Sequence, residues 1–82
     1  MRKSSFSYDG RFLEVRAASS NGDWSICVFE HGSLATWAVY TVADEIASDA
    51  SGRGLDVVGD LMNTAESDFI KWSDFLKNAP SQ

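Results

Sequence analysis

The sequence predicts an α+β fold in which a three-stranded antiparallel meander precedes two helices packed on one face of the sheet (β-β-β-α-α). Apolar residues alternate with polar ones from residue 12 to residue 40, the pattern of half-buried strands. The turn signals SSNG and HGS divide this stretch into three strands with short connections. Beyond residue 41 the apolar period becomes helical. We expect residues 1–82 to form one domain, with frayed ends at 1–5 and 79–82.

The register of the three predicted strands is set by matching their apolar faces. Setting Val15 opposite Ile26 aligns the apolar faces of the first two strands. A two-residue loop at His31-Gly32 pairs Glu30 with Ser33, and the same register sets Ile26 opposite Trp37 and Trp24 opposite Val39. On the second and third strands, the face predicted to meet the helices is formed by Trp24, Ile26, Val28, Ala35, Trp37 and Val39.

The two helices follow from a cap signal, two glycines and a long apolar stripe. Thr41 followed by Asp44 resembles a capping box at the start of the first helix, and the glycines of SGRG end it. Asn63 with Glu66 three residues later could restart a helix, so the second helix is either continuous or broken near residue 63. The apolar stripe of this second helix is formed by Leu55, Val58, Met62, Ala65, Phe69, Trp72 and Leu76.

The charge distribution argues against nucleic acid as a partner. The net charge is −5, and residues 42–82 contain the whole excess, with eight acidic and three basic residues. A negatively charged domain repels phosphate backbones. No apolar run approaches the roughly 18 residues that a membrane span needs. A single cysteine and a first segment without the apolar core of a signal peptide predict a cytoplasmic protein that does not bind membranes.

The residue types that carry catalysis are present but badly spaced, so we expect no enzyme, cofactor or metal site. Cys27 and His31 would lie roughly 13 Å apart along an extended strand, too far for a thiol–imidazole pair. Asp60 and Asp74 would lie ~21 Å apart on one helix face, too far for acid–base work on one bond. The SGRG segment lacks the glycine spacing and the lysine of a phosphate-binding loop.

The sheet face turned away from the helices is the predicted interaction site. Its apolar cluster could contact a protein partner or a second copy, or lie beneath Phe6 and Tyr8 folded back over it. Its aromatic residues could also stack bases, although the sequence contains no motif of an RNA-recognition module. The candidate interface residues are Phe12, Arg16, Phe29, Leu34 and Tyr40.

The acidic second half supplies another candidate surface. Three of its carboxylates, those of Asp60, Asp68 and Asp74, are predicted to lie on a solvated helical face. Such a surface would repel nucleic acid and attract a basic partner.

Three segments of the chain, YDGRFLEVRAA, GDWSICVFEHG and DLMNTAESDFIKW, resemble small hypothetical proteins of Burkholderia-like proteobacteria. The resemblance implies a bacterial, cytoplasmic setting and the same β-β-β-α-α layout, and it transfers no site residue. Together with the face and charge arguments, it leads us to expect a non-enzymatic bacterial protein that acts by protein–protein association. The alternative is a ligand or nucleic-acid binder that uses the outer sheet face.

Overall fold

The structure is a computed structural model that describes residues 1–35 and 40–78. Within these residues the chain forms a five-stranded antiparallel sheet followed by two helices. The α+β class, with strands before helices, is confirmed, but the predicted three strands are too few. The elements are β1 (Arg2–Tyr8), β2 (Arg11–Ser20), β3 (Asp23–Glu30), β4 (Ser33–Leu34), β5 (Tyr40–Ala43), α1 (Asp44–Gly52) and α2 (Val57–Lys77).

Strand β1 is the element that the sequence pattern does not predict, and it occupies most of the segment expected to fray. It pairs with β2 without interruption, from Arg2 opposite Ala17 to Tyr8 opposite Arg11. The turn between them, Asp9-Gly10, has positive φ at both residues, which sends the chain directly back along β2. Strands β1, β2 and β3 are neighbours in that order, and β4 and β5 both pair with β3.

The β2–β3 hairpin has the predicted faces but a different register. Asn21 and Gly22 have φ of 54° and 84°, as a tight two-residue hairpin turn requires, so Ser20 lies opposite Asp23. Val15 therefore lies opposite Val28, and the predicted pairing of Val15 with Ile26 is wrong by two residues. Because side chains alternate with period two, this even shift keeps the same residues on the helix-facing side.

The β3–β4 hairpin agrees with the sequence-based register. Glu30 lies opposite Ser33 across the His31-Gly32 turn, as predicted. The backbone N–H of Ala35 donates to the carbonyl of Val28 at 2.8 Å, which continues the same register.

The register of β5 differs from that of β4 by three residues. Tyr40 lies opposite Ile26 and Val42 lies opposite Trp24, so the predicted partners of Ile26 and Trp24 are wrong. Those predicted partners, Trp37 and Val39, lie outside the described residues. An odd shift exchanges the two faces of a strand, so Tyr40 belongs to the helix-facing side.

The core lies between α2 and the inner face of the sheet. Of the residues predicted to face the helices, Ile26 and Val28 are buried, and Trp24 and Ala35 are partly buried against the core. The core cluster consists of Leu13, Val15, Ala17, Ile26, Val28, Val58, Met62, Ala65 and Phe69.

The structure corrects the predicted start of α1 and establishes that α2 is one helix. Helix α1 follows Ala43 without a side-chain cap, so the predicted cap at Thr41, which lies in β5, is wrong. Its end at Gly52 agrees with the glycine signal. Helix α2 is continuous through Asn63, which decides between the two predicted alternatives. Neither helix of the described residues is long and apolar enough to cross a membrane.

An ion pair at the start of α2 fastens β1 to the helix layer. Arg2 donates from both terminal nitrogens to the Asp56 carboxylate, at 2.8 and 2.9 Å. Asp56 also caps α2 by accepting from the Gly59 N–H at 3.1 Å. The Arg2 guanidinium and, after it, the Gly59 N–H lower the pKa of Asp56 to about 2. A Cβ at Gly59 would collide with this carboxylate, so the glycine makes room for the cluster.

The burial of the inner face makes a matched pair of substitutions informative. Ile26 is fully buried, whereas Ile46 on α1 is 59% exposed. We expect Ile26→Ala to lower the free energy of unfolding by about 2–5 kcal/mol, because it leaves a cavity in the core. Ile46→Ala, measured in the same urea titrations, should change it by no more than about 0.5 kcal/mol. Equal effects of the two substitutions would contradict the placement of the core.

The Arg2–Asp56 pair predicts a specific acid sensitivity. The pKa of Asp56 is lower in the folded protein than its usual value of 3.8, so the ionised carboxylate stabilises the fold at pH values above 3.8. This contribution is lost as the pH falls towards about 2. Asp56→Asn keeps a capping side chain but removes the charge. Urea titrations across this acidic range should show a smaller decline in stability for Asp56→Asn than for the parent. Arg2→Ala should flatten the decline in the same way, and an unchanged slope in both variants would contradict the assignment.

Candidate interaction surface

The outer face of the sheet is made by the side chains that alternate with the buried ones. Helix α2 packs on the inner face, and no helix of the described residues covers the outer one. From β1 to β4 the outer positions are Lys3, Ser5, Ser7, Phe12, Glu14, Arg16, Ala18, Ser20, Asp23, Ser25, Cys27, Phe29 and Leu34.

Apolar side chains form the centre of this outer face. Phe12 is 77% exposed and Leu34 is 48% exposed. Phe29 lies between the neighbouring strands, opposite Glu14 on β2 and opposite Leu34 on β4, and is half-buried. A shallow groove of about 470 Å³ runs between the phenylalanine rings and reaches the turn at His31. The placement of Phe12, Phe29 and Leu34 agrees with the sequence-based expectation.

Arg16 is held against the aromatic side chains of this face. Its guanidinium carbon lies 4.5 Å from the centre of the Phe29 ring, and its Nε donates to the Glu14 carboxylate. This hydrogen bond lowers the pKa of Glu14. Arg16 therefore occupies one face of the Phe29 ring, and Glu14 fixes its orientation.

The thiol of Cys27 lies on the same face, opposite Arg16 in the strand register. Burial raises its pKa, so the neutral thiol is favoured over the reactive thiolate. His31 is exposed in the turn that follows β3. Among the described residues, no group of three or more His, Cys, Asp and Glu side chains is arranged to hold a metal ion.

Tyr40, the fifth candidate interface residue, does not belong to the outer face. It lies opposite Ile26 on the helix-facing side, and its hydroxyl donates to the Asp68 carboxylate on α2. The expected outer placement is wrong because the β5 register differs by three residues from the uniform register assumed from the sequence.

Phe6 and Tyr8 leave the outer face open. Both lie on the helix-facing side of β1 and contact Phe69 edge-on, with ring centres 5.8 and 6.2 Å apart. The explanation in which these residues fold back over Phe12 is therefore wrong. Strand β1 extends the sheet sideways instead of covering it.

The three candidate acidic residues have different roles. Asp68 and Asp74 accept hydrogen bonds from the hydroxyls of Tyr40 and Tyr8, so they join α2 to the sheet. The Asp74 hydrogen bond is the main cause that raises the pKa of Tyr8 to about 12. Asp60 is exposed in the first turn of α2, where a negative charge is favourable to the helix dipole. Two of the three carboxylates therefore have a structural use that the sequence pattern does not indicate.

The sequence pattern also does not predict an exposed pair of aromatic side chains near the end of α2. The Trp72 and Phe75 rings stack with centres 5.6 Å apart and planes at 18°, and they are 58% and 62% exposed. The stripe prediction puts Trp72 and Leu76 in the core, but both are exposed. Helix length gives the signal: the 21 residues of α2 extend about 31 Å, farther than the roughly 26 Å of the eight-residue strand β3 on which the helix packs.

The chain matches no known family model, no curated protein and no solved structure.

The tyrosine–aspartate contacts can be tested by alkaline titration. Because its pKa is raised, Tyr8 stabilises the fold below its usual pKa of 10.0, and that contribution is lost as pH rises towards about 12. Asp74→Asn removes the charge that disfavours the phenolate, so the pKa of Tyr8 should fall towards 10.0 in an ultraviolet absorbance titration.

Asp68→Asn should act in the same direction on Tyr40, and Asp60→Asn should leave both tyrosine titrations as they are. A Tyr8 titration that is identical in the parent and in Asp74→Asn would show that the two side chains are not in contact.

Proposed function

We propose that this chain is a non-enzymatic binding domain that associates with another protein through its outer sheet face. The observation that carries the proposal is the exposure of Phe12, an aromatic side chain 77% open to solvent that lines one groove with Phe29, which in turn lies opposite Leu34. Apolar side chains that cluster on a surface mark interaction sites more often than single exposed ones do.

The charges around the groove indicate the chemistry of the partner. Lys3 lies opposite Arg16 in the β1–β2 register, and Glu14 supplies the carboxylate that binds Arg16. Around the groove the outer face therefore carries two cations and one anion, with Asp23 at the far end of β3, in a protein whose net charge is −5. A matching partner presents apolar side chains to Phe12 and Leu34 and a carboxylate to the Lys3–Arg16 pair.

One contact and the charge of α2 favour a protein over a nucleic acid as the partner. Arg16 already lies against one face of the Phe29 ring, so a base would have to displace it to stack there. The acidic residues of α2 add a repulsive field for phosphates. The neutral thiol of Cys27 supports a binding role rather than nucleophilic chemistry on this face.

The setting of this activity is part of the proposal. The resemblance of three segments to proteobacterial proteins supports a bacterial cytoplasm as the place where the partner is met.

Photocrosslinking through position 12 tests the association directly. We expect benzoylphenylalanine in place of Phe12 to form a covalent adduct with one other protein when the organism that encodes the chain is irradiated. In that background Leu34→Ser should reduce the adduct at least about tenfold, because it removes the exposed apolar side chain that lies opposite Phe29 on the same sheet face. Leu34 is 48% exposed, so the melting temperature should stay close to that of the parent.

The matched control is the exposed apolar patch at the end of α2. Leu76→Ser removes a similarly exposed leucine there and should leave the adduct unchanged. An adduct with RNA, or an adduct lost in Leu76→Ser but kept in Leu34→Ser, would contradict association through the outer sheet face. Mass spectrometry of the purified adduct distinguishes these results.

A further inference from the structure

Strand β1 leaves one side of the sheet without a neighbour. It pairs with β2 through all seven of its residues, from Arg2 to Tyr8, and no other strand of the described residues pairs with it. Alternate residues of such an edge direct their backbone N–H and C=O groups away from the sheet, where they can pair with another chain.

The middle of β1 lacks the features by which proteins protect an edge. Its central residues are Ser4, Ser5, Phe6 and Ser7, without charge or proline. The register with β2 advances one residue at a time from end to end, so the strand contains no bulge. Regular edge strands whose central residues carry no charge are templates for strand addition.

The two ends of β1 carry opposite charges. Its first two residues are Arg2 and Lys3. The carboxylates at its other end are those of Asp9, which follows the strand, and Asp74, which Tyr8 binds. An antiparallel pair of identical strands places the start of each strand beside the end of the other. The positive start of each copy therefore attracts the negative end of the other, and this attraction occurs twice in one dimer.

We infer that β1 pairs antiparallel with β1 of a second copy, around a two-fold axis that passes between the two Ser5 residues. In this register all seven residues of each strand are paired, and Arg2 lies opposite Tyr8 of the second copy. Lys3 lies opposite Ser7 of the second copy and diagonal to its Asp9, within reach of a long side chain.

The internal ion pairs leave charges available for this contact. Arg2 is bound to Asp56, and Lys77 lies 3.4 Å from Asp9. Among the described ion pairs, neither Lys3 nor Asp74 has a partner of opposite charge. Each end of β1 therefore keeps a net charge, positive at the start and negative at the end.

The dimer would have one continuous sheet with both helix layers on the same side. Residues directly opposite in an antiparallel pair have side chains on the same face of the sheet. Because the two Ser5 residues are opposite each other, the outer faces of both copies lie on the same side of the combined sheet. The Phe12 groove of one copy would continue into that of the other across the two β1 strands. The dimer contact uses the backbone edge of β1, whereas the proposed partner site centres on Phe12 and Phe29, and the two surfaces share Lys3 and Ser5. Substitutions at Ser5 and at Phe12 therefore distinguish failure of the one inference from failure of the other.

Sedimentation equilibrium of the full chain tests the dimer. The parent should sediment as a dimer that dissociates on dilution. Ser5→Lys places two ammonium groups beside each other at the two-fold axis and should raise the dimer dissociation constant about tenfold or more. Within one chain the new lysine lies opposite Glu14, so the fold should keep its melting temperature. Ser67→Lys, on the exposed face of α2, is the matched control and should leave the constant unchanged.

Disulfide trapping tests the register in a Cys27→Ser background, which removes the native thiol. Ser5→Cys should form an intermolecular disulfide rapidly, because its two copies are directly opposite. Ser7→Cys should not, because its copies lie four residues apart along the strands, roughly 13 Å.

Three results would overturn the inference. The first is a parent that stays monomeric at millimolar concentration. The second is a dimer that survives Ser5→Lys but dissociates in Phe12→Ser, which would assign the contact to the outer face. The third is equal disulfide trapping at both cysteine positions.

Discussion

Helix α2 packs four buried side chains against the apolar face of β2 and β3, and the rest of the fold depends on this contact. Burial of one large apolar side chain contributes about 1.5–3 kcal/mol, and a chain of 82 residues has few of them. Because a single helix layer covers a single sheet face, the same contact determines which face stays open. Neighbouring side chains of a strand point to opposite faces of the sheet. Because Leu13 points into the core, Phe12 points to the open face and is exposed.

Strong local signals explain what could be predicted of the fold. The His31-Gly32 turn and the period of α2 depend on residues close together in sequence, and both agree with the structure. Strand β1 could not be predicted in this way because its sequence, RKSSFSY, has little apolar alternation. It is held by pairing with β2 and by the contact of Arg2 with Asp56, which lies 54 positions away. Long-range contacts of this kind leave no periodic trace in a sequence.

The face on which a candidate residue lies could be predicted where it depends only on alternation along one strand. It could not be predicted where it depends on the register between strands. Phe12, Arg16 and Phe29 follow from the alternation along β2 and β3, and their placement needs no knowledge of the partner strand. Tyr40 depends on the residues between β4 and β5, and a three-residue difference there moves it to the other face. Asp68 and Asp74 accept hydrogen bonds from Tyr40 and Tyr8. The placement of these tyrosines depends on how β5 and β1 pair with the rest of the sheet, which the sequence pattern does not determine.

Three consecutive hairpins turn on dipeptides with positive φ at both residues, namely Asp9-Gly10, Asn21-Gly22 and His31-Gly32. Such turns join strands that are adjacent in sequence, so closing each hairpin costs little chain entropy. The first four strands can therefore form early in folding, one hairpin at a time. Helix α2 completes the core and follows all five strands in the sequence, so the apolar face of the sheet stays exposed to water until α2 is synthesised. The order of translation thus exposes the nascent sheet to aggregation during the interval before α2 leaves the ribosome.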